Sequence, residues 1–278
     1  MSTSDKNFRI GCQSWGYDDW ITKPGGETVF YPRGTKQSDM LEIYARVFDT
    51  IEVDATAYGT PQMSSIESWN SKSPFGFLFS FKVPREITHE LSLDPRSLPV
   101  MHDFVSAVRQ LEEKLGVILI QLPASFESTK ENAQNLREFL AFLPREIRFA
   151  VEFRHPGWFV DWTYDELNEH GVALGLVAGK WVPSEVVFSA VTRTKTEFAY
   201  IRFMGIRDLE TFDRISRDRS DEITAWKDQI LKLHAREVYV YMDNYFEGHA
   251  PATANKFKAM LGIPIIRPSD LEEQPSLF

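Results

Sequence analysis

Between Pro74 and Pro84 the chain reads FGFLFSFKV, so Phe75, Phe77, Phe79 and Phe81 alternate with Gly76, Leu78, Ser80 and Lys82. Period two is the mark of an extended strand, whose successive side chains point to opposite faces. The pattern predicts four aromatic rings under helices on one face. Ser80 and Lys82 then lie on the other face, with Lys82 near the tip. The stretch VEFRHPGW, Val151 to Trp158, repeats the device. Phe149, Val151 and Phe153 share one face, and Ala150, Glu152 and Arg154 the other. The polar face ends in a carboxylate and a guanidinium just before a His-Pro-Gly turn. A ring of such strands would bring its polar tips together at one mouth.

The same reading extends along the chain. Further strands are expected at residues 8–12, 50–54, 116–121, 172–177, 197–203 and 237–243. Their inward residues include Glu52 and Asp54, then Gln121, then Tyr200 and Arg202, and finally Tyr239, Tyr241 and Asp243. Apolar stripes predict helices over 38–47 (Ser38 as N-cap), 62–71, 100–114, 130–142, 163–170, 219–235 and 252–261. Alternation of this kind over about 260 residues predicts a single (β/α)8 TIM barrel. Its core would run from about 8 to 262, followed by a loosely structured tail over 263–278. A doubly wound open sheet is the weaker alternative, because no glycine-rich phosphate or dinucleotide fingerprint follows any strand. No internal repeat or low-complexity linker divides the chain, so residues 1–278 are read as one domain.

Composition narrows the partners. The net charge of −9 repels nucleic-acid phosphates overall, though it leaves room for a local basic pocket. No run of about 18 apolar residues suggests a membrane span, and the polar start MSTSDKNF lacks a signal-peptide core. The single cysteine, Cys12, excludes an intramolecular disulfide framework and fits a reducing cytoplasm. Six histidines show no H-x-x-x-H or H-E-x-x-H pattern, so no metal or other cofactor is evident. An oxygen-rich Mg²⁺ or Mn²⁺ site built from Asp54, Glu152 and Asp243 is the one alternative.

Eight motifs occur in order: W-x-Y-x-x-W at Trp15–Trp20, FYP at 30–32, IEVDATAYGTP at 51–61, FSFKVPREITH at 79–89, QLP at 121–123, VEFRHPGW at 151–158, YIRFMG at 200–205 and DNYFEGHAPATA at 243–254. The chain thereby resembles the YecE-like proteins, domain-of-unknown-function family seventy-two (DUF 72), from about residue 8 to 262. The resemblance implies a TIM barrel and brings no established reaction. Two departures stand out. The family's Asn-Ser-Thr-Phe-Tyr-Arg run is here Asp54 to Gly59, without the arginine, and its paired asparagines are here Asp243 and Asn244. Both make the expected pocket more acidic.

A TIM barrel carries its active site at the C-terminal strand ends. The inward tips are Asp54, Lys82, Gln121, Glu152, Arg154, Arg202 and Asp243. Loop residues His89, Trp15, Tyr17, Tyr58, Trp158, Asn244 and His249 reach toward the same space. Burying an isolated charge costs roughly several kcal/mol or more, so these groups must pair, bind a ligand, or both. Glu152 is the leading general acid/base, with Lys82 and His89 as further catalytic candidates. Arg154 and Arg202 suit bidentate recognition of an anion. Aromatic residues Trp15, Tyr17, Tyr58 and Trp158 would cover a substrate, alongside Asp54, Gln121, Asp243 and Asn244. The expected protein is an enzyme of unassigned reaction, a hydrolase or an isomerase or lyase, acting on a phosphorylated or sugar-like small molecule. Glycoside hydrolysis by Glu152 with Asp54 or Asp243 is a variant. The alternatives are an endonuclease-like barrel, a non-catalytic ligand-binding protein, and a mouth closed by its own salt bridges. Oligomeric state is left open.

Overall fold

The computed structural model describes residues 6–267 and Asp270. Eight strands, β1 (Asn7–Cys12), β2 (Thr50–Val53), β3 (Leu78–Lys82), β4 (Leu115–Gln121), β5 (Arg148–Glu152), β6 (Ala173–Ala178), β7 (Phe198–Phe203) and β8 (Glu237–Met242), pair in parallel in the order β1-β8-β7-β6-β5-β4-β3-β2. Helices α1 (Gln37–Val47), α2 (Met63–Ser71), α3 (Ser97–Val108), α4 (Lys130–Phe142), α5 (Asp161–Glu169), α6 (Ser184–Ala190), α7 (Ser220–Ile230), α8 (Asn244–Glu247) and α9 (Ala250–Met260) alternate with them. The result is a nearly closed (β/α)8 barrel. Most of the tail expected at 263–278 lies outside the described residues. No helix among the described residues is long and apolar enough to cross a membrane.

The ring has two thin places. Between β5 and β6 the ladder holds only Ala150 with Ala173 and Val151 with Leu174. Between β1 and β2 it shrinks to a single bridge, Gln13 with Glu52. There Tyr44 of α1 completes the seam. Its hydroxyl accepts the Cys12 N–H at 2.8 Å and donates to the Thr50 carbonyl at 3.0 Å. A helix-borne side chain thus satisfies two backbone groups that burial would otherwise leave orphaned. The strands approach so closely that a Cβ on Gly11 would stand 2.1 Å from the Thr50 oxygen. Only a residue with no side chain fits that position.

Inside the ring, polarity climbs with height. The lower inward positions, such as Leu78, Val117, Phe198 and Tyr239, are apolar or aromatic. At mid-height, Tyr241 donates to Ser80 at 2.8 Å, and its hydroxyl lies 2.7 Å from that of Thr50. The top positions are Glu52, Lys82, Gln121, Glu152 and Arg202. Outward residues Phe77, Phe79 and Phe81 are buried as expected. Phe75 is not: it is 90% exposed, because β3 begins only at Leu78 and Gly76, at φ 81°, turns the chain just before it. Helix α1 also begins one residue earlier than expected, and Ser38 lies inside it rather than capping it. A short helix, α6, follows β6 where no helix was foreseen. It spans only seven residues after Pro183, too few for a clear stripe.

Candidate functional site at the barrel mouth

Four charged side chains interlock across the top of the ring. Arg202, 1% exposed, uses Nε and Nη2 to donate to the two carboxylate oxygens of Glu52 at 2.9 and 2.7 Å. Its Nη1 donates to Glu152 Oε2 at 2.5 Å. The other oxygen of Glu152 accepts from Arg154 Nε at 2.8 Å. Tyr200 adds its hydroxyl to Glu52 at 2.6 Å. Two carboxylates and two guanidiniums therefore form one charge-balanced chain. Desolvation of buried ions is expensive, and only such full pairing with good geometry offsets it.

The electrostatics follow from that chain. Burial alone would raise the Glu152 carboxyl, but Arg202 and Arg154 outweigh it and hold it at about 2. Burial disfavours the Arg202 cation, yet Glu52 and Glu152 reverse the balance and hold it more firmly protonated than a free arginine. Glu152 is thus a permanent carboxylate that positions Arg154, and at neutral pH it has no proton to donate. Glu52, read from the sequence as inward but left out of the tip set, is the second anchor. Two residues on, Asp54 shares that parity, but the chain coils there into a single 3-10 turn, Asp54–Tyr58. Asp54 therefore stands on the rim, its side chain 40% exposed, 3.4 Å from the Lys82 ammonium.

The rim carries the more available groups. Lys82 is mostly buried, and burial, aided by Arg202 and Arg154, lowers its pKa against the opposing pull of Asp54 and Glu152. Arg154 commits only Nε to Glu152, and its guanidinium lies 5.3 Å from the Trp181 ring centroid. Trp181 is 42% exposed and also carries Lys180 at 4.6 Å. It was absent from the expected set, although an aromatic beside a cation just past a strand tip was a usable signal. Asp243 is buried and accepts the Gly205 N–H at 3.3 Å. Burial raises its pKa to about 6, with Asp54 adding to the rise and the Tyr245 and Gly205 amides and Arg202 opposing it. Burial, then Asp243 and Asp54, push the Tyr17 phenol upward.

Other expected residues take structural positions. Trp158 is a correction: it does not face the mouth. The 3-10 turn Pro156–Trp158 folds it onto the outer side of β5, stacked on Phe153 at 4.9 Å and Phe126 at 5.3 Å, with its indole N–H on the Phe126 carbonyl. Gln121 is buried and donates to the neighbouring Leu122 carbonyl. Tyr58 is 83% exposed on the outer rim. Asn244 is buried, and its Oδ1 accepts from Trp20 Nε1 and the Ala250 amide. His89 lies 2.8 Å from the Thr88 hydroxyl, and burial with Arg85, Lys82 and Arg154 lowers its pKa to about 4. In the first loop Trp20, Phe30 and Tyr31 are buried in the main core, Phe30 packing on Tyr44 and Phe48 of the α1 region, while Trp15 and Tyr17 are only half-buried against it. Asp54, Glu152 and Asp243 do not converge as a metal site. Among the described residues no three His, Cys, Asp or Glu side chains do.

Comparison with known proteins agrees with the fold and the ordered motifs. The family model described as "Protein of unknown function DUF72" matches residues 9–276. UPF0759 protein YecE of Escherichia coli K12 is 29% identical over 163 residues, which cover 59% of this chain and about half (54%) of that protein. UPF0759 protein YunF of Bacillus subtilis is 24% identical, covering 91% of this chain and 94% of that protein. Among solved structures, the DUF72 family protein TM1631 of Thermotoga maritima superposes with a TM-score of 0.74 at 27% identity, covering 92% of this chain and 99% of that one. EF0366 of Enterococcus faecalis, at 22% identity and a TM-score of 0.72, covers 93% and 99% and shares the fold. The chain belongs to the DUF72 family.

Proposed function

We propose that the barrel mouth binds a small anionic substrate, phosphorylated or sugar-like, and performs acid/base chemistry on it. The observation that carries this reading is Arg154. Glu152 fixes its Nε, while its two terminal nitrogens have no protein acceptor among the described residues. Lys82 stands beside it with one carboxylate partner, Asp54 at 3.4 Å. Pre-oriented donors of this kind suit an oxyanion. Arg202 is already spent on Glu52 and Glu152, so it positions the clamp and does not form it.

Proton transfer then falls to Asp243. A carboxyl at about 6 exchanges protons near neutrality, whereas one at about 2 does not. Trp15, Tyr17 and Trp181 would flank the ligand. The test is calorimetry of the full chain with inorganic phosphate and with glucose 6-phosphate. Arg154→Met and Lys82→Met should each weaken binding roughly tenfold or more. Asp243→Asn should leave binding intact and abolish turnover of phosphorylated sugars. Equal affinities in wild type and both cation variants would sink the reading.

A further inference from the structure

A second opening lies away from the mouth. It is a cleft of about 790 Å³ between the β1–α1 loop, the β7–α7 loop and α9, running along that helix from Pro251 to Ala259 and on to Ile265 and Arg267. Three of its lining residues each carry a buried polar atom with no hydrogen-bond partner among the described residues: His249 Nε2, Asp213 Oδ1 and Asn255 Oδ1. Buried polar atoms are normally paired, so these orphans point to a missing partner at this wall; Asp213 Oδ1 has only a long contact, 3.9 Å, to Arg214 Nε. His249 is 5% exposed and its other contact here is the edge of Trp20, 6.0 Å between ring centroids. The outer lip carries Lys23, Arg214 and Arg267. Glu27 and Asp213 offset part of that charge, and α9 turns its positive N-terminal end, Pro251 and Ala252, toward the same space.

We propose that this cleft is a second binding site, separate from the mouth, for a small polyol phosphomonoester. Lys23, Arg214 and Arg267 hold the phosphate. The carbonyl and carboxylate oxygens of Asn255 and Asp213 accept hydroxyl protons, and His249 Nε2 completes the set. The Asn255 carbonyl and the Asp213 carboxylate are why the ligand must carry hydroxyl groups: a bare anion would meet acceptors it cannot satisfy.

The test uses the full chain carrying Lys82→Met and Arg154→Met, which silences the mouth and separates the two proposals. Calorimetry with glycerol 3-phosphate, inorganic phosphate and glycerol gives the readout. Glycerol 3-phosphate should bind, more tightly than inorganic phosphate, and Lys23→Ala with Arg214→Ala should weaken it roughly tenfold or more. These exposed substitutions leave folding intact. His249→Phe should also weaken binding, with its melting temperature measured in parallel. No binding of glycerol 3-phosphate at millimolar concentration overturns the site. Affinity unchanged in the Lys23/Arg214 variant, or no better than for inorganic phosphate, overturns it as well.

Discussion

Arg202→Met tests the charge chain at the top of the barrel. Glu152 sits at about 2 where a free carboxyl has 4.5, and that displacement is worth about 3 kcal/mol of folding stability. This contribution is present above pH ~4.5 and is lost as pH falls through about 2. Removing Arg202 takes away the leading charge that holds Glu152 down. It also leaves Glu52, wholly buried, with only the Tyr200 hydroxyl. Breaking a buried pair by deleting one partner costs about 3–5 kcal/mol, and losing two pairs places the total at or above the upper end. With the cation gone, burial pushes Glu152 toward the neutral form against Arg154 alone, so the variant regains stability as pH falls. Chemical denaturation followed by circular dichroism should show a large midpoint shift at pH ~8 and a smaller one near pH ~5. Glu52→Gln and Glu152→Gln added to Arg202→Met should recover much of the loss. A cost below about 1 kcal/mol, or one independent of pH, would refute the argument.

Asp243→Asn should stabilise the protein above pH ~6 and change little below pH ~4, because a folded pKa of about 6 against an ordinary 3.8 costs up to about 3 kcal/mol once the group is ionised; melting curves across that range check it. Tyr44→Phe leaves the Cys12 N–H and the Thr50 carbonyl unpaired and should cost about 2–4 kcal/mol, with faster hydrogen exchange at the Cys12 amide. Gly11→Ala should open the same seam, since no side-chain rotation relieves a 2.1 Å approach to a backbone oxygen. Soluble yield and exchange rates at β1 and β2 are the readouts.

The barrel was legible because period-two alternation survives in strands buried on both sides when charge gathers at their tips. Glu152, Arg202 and Lys82 could be placed inward by parity alone. Parity says nothing about where a strand ends. That is why Phe75 was counted into β3 although Gly76 turns the chain before it, and why Asp54 stood in for Glu52. It also says nothing about a turn that reverses direction. Trp158 follows the strand tip in sequence but is folded back by Pro156 onto Phe153. The sharing of two carboxylates by one guanidinium was invisible, because it joins β2, β5 and β7 across the ring and no local pattern encodes that distance.

The seam at Tyr44 has a consequence for how the chain is made. Strand β1 finds its full ladder only on β8, where Asn7 pairs with Glu237. On a ribosome adding about 5–20 residues per second, the first strand waits roughly 10–50 seconds for its partner to emerge. The partners that precede β8 in the chain are the Tyr44 hydroxyl, the single bridge to β2 and the Arg9–Asp49 ion pair at 2.8 Å. In a chain that folds as it is made, these are the contacts available to hold β1 until β8 closes the ring.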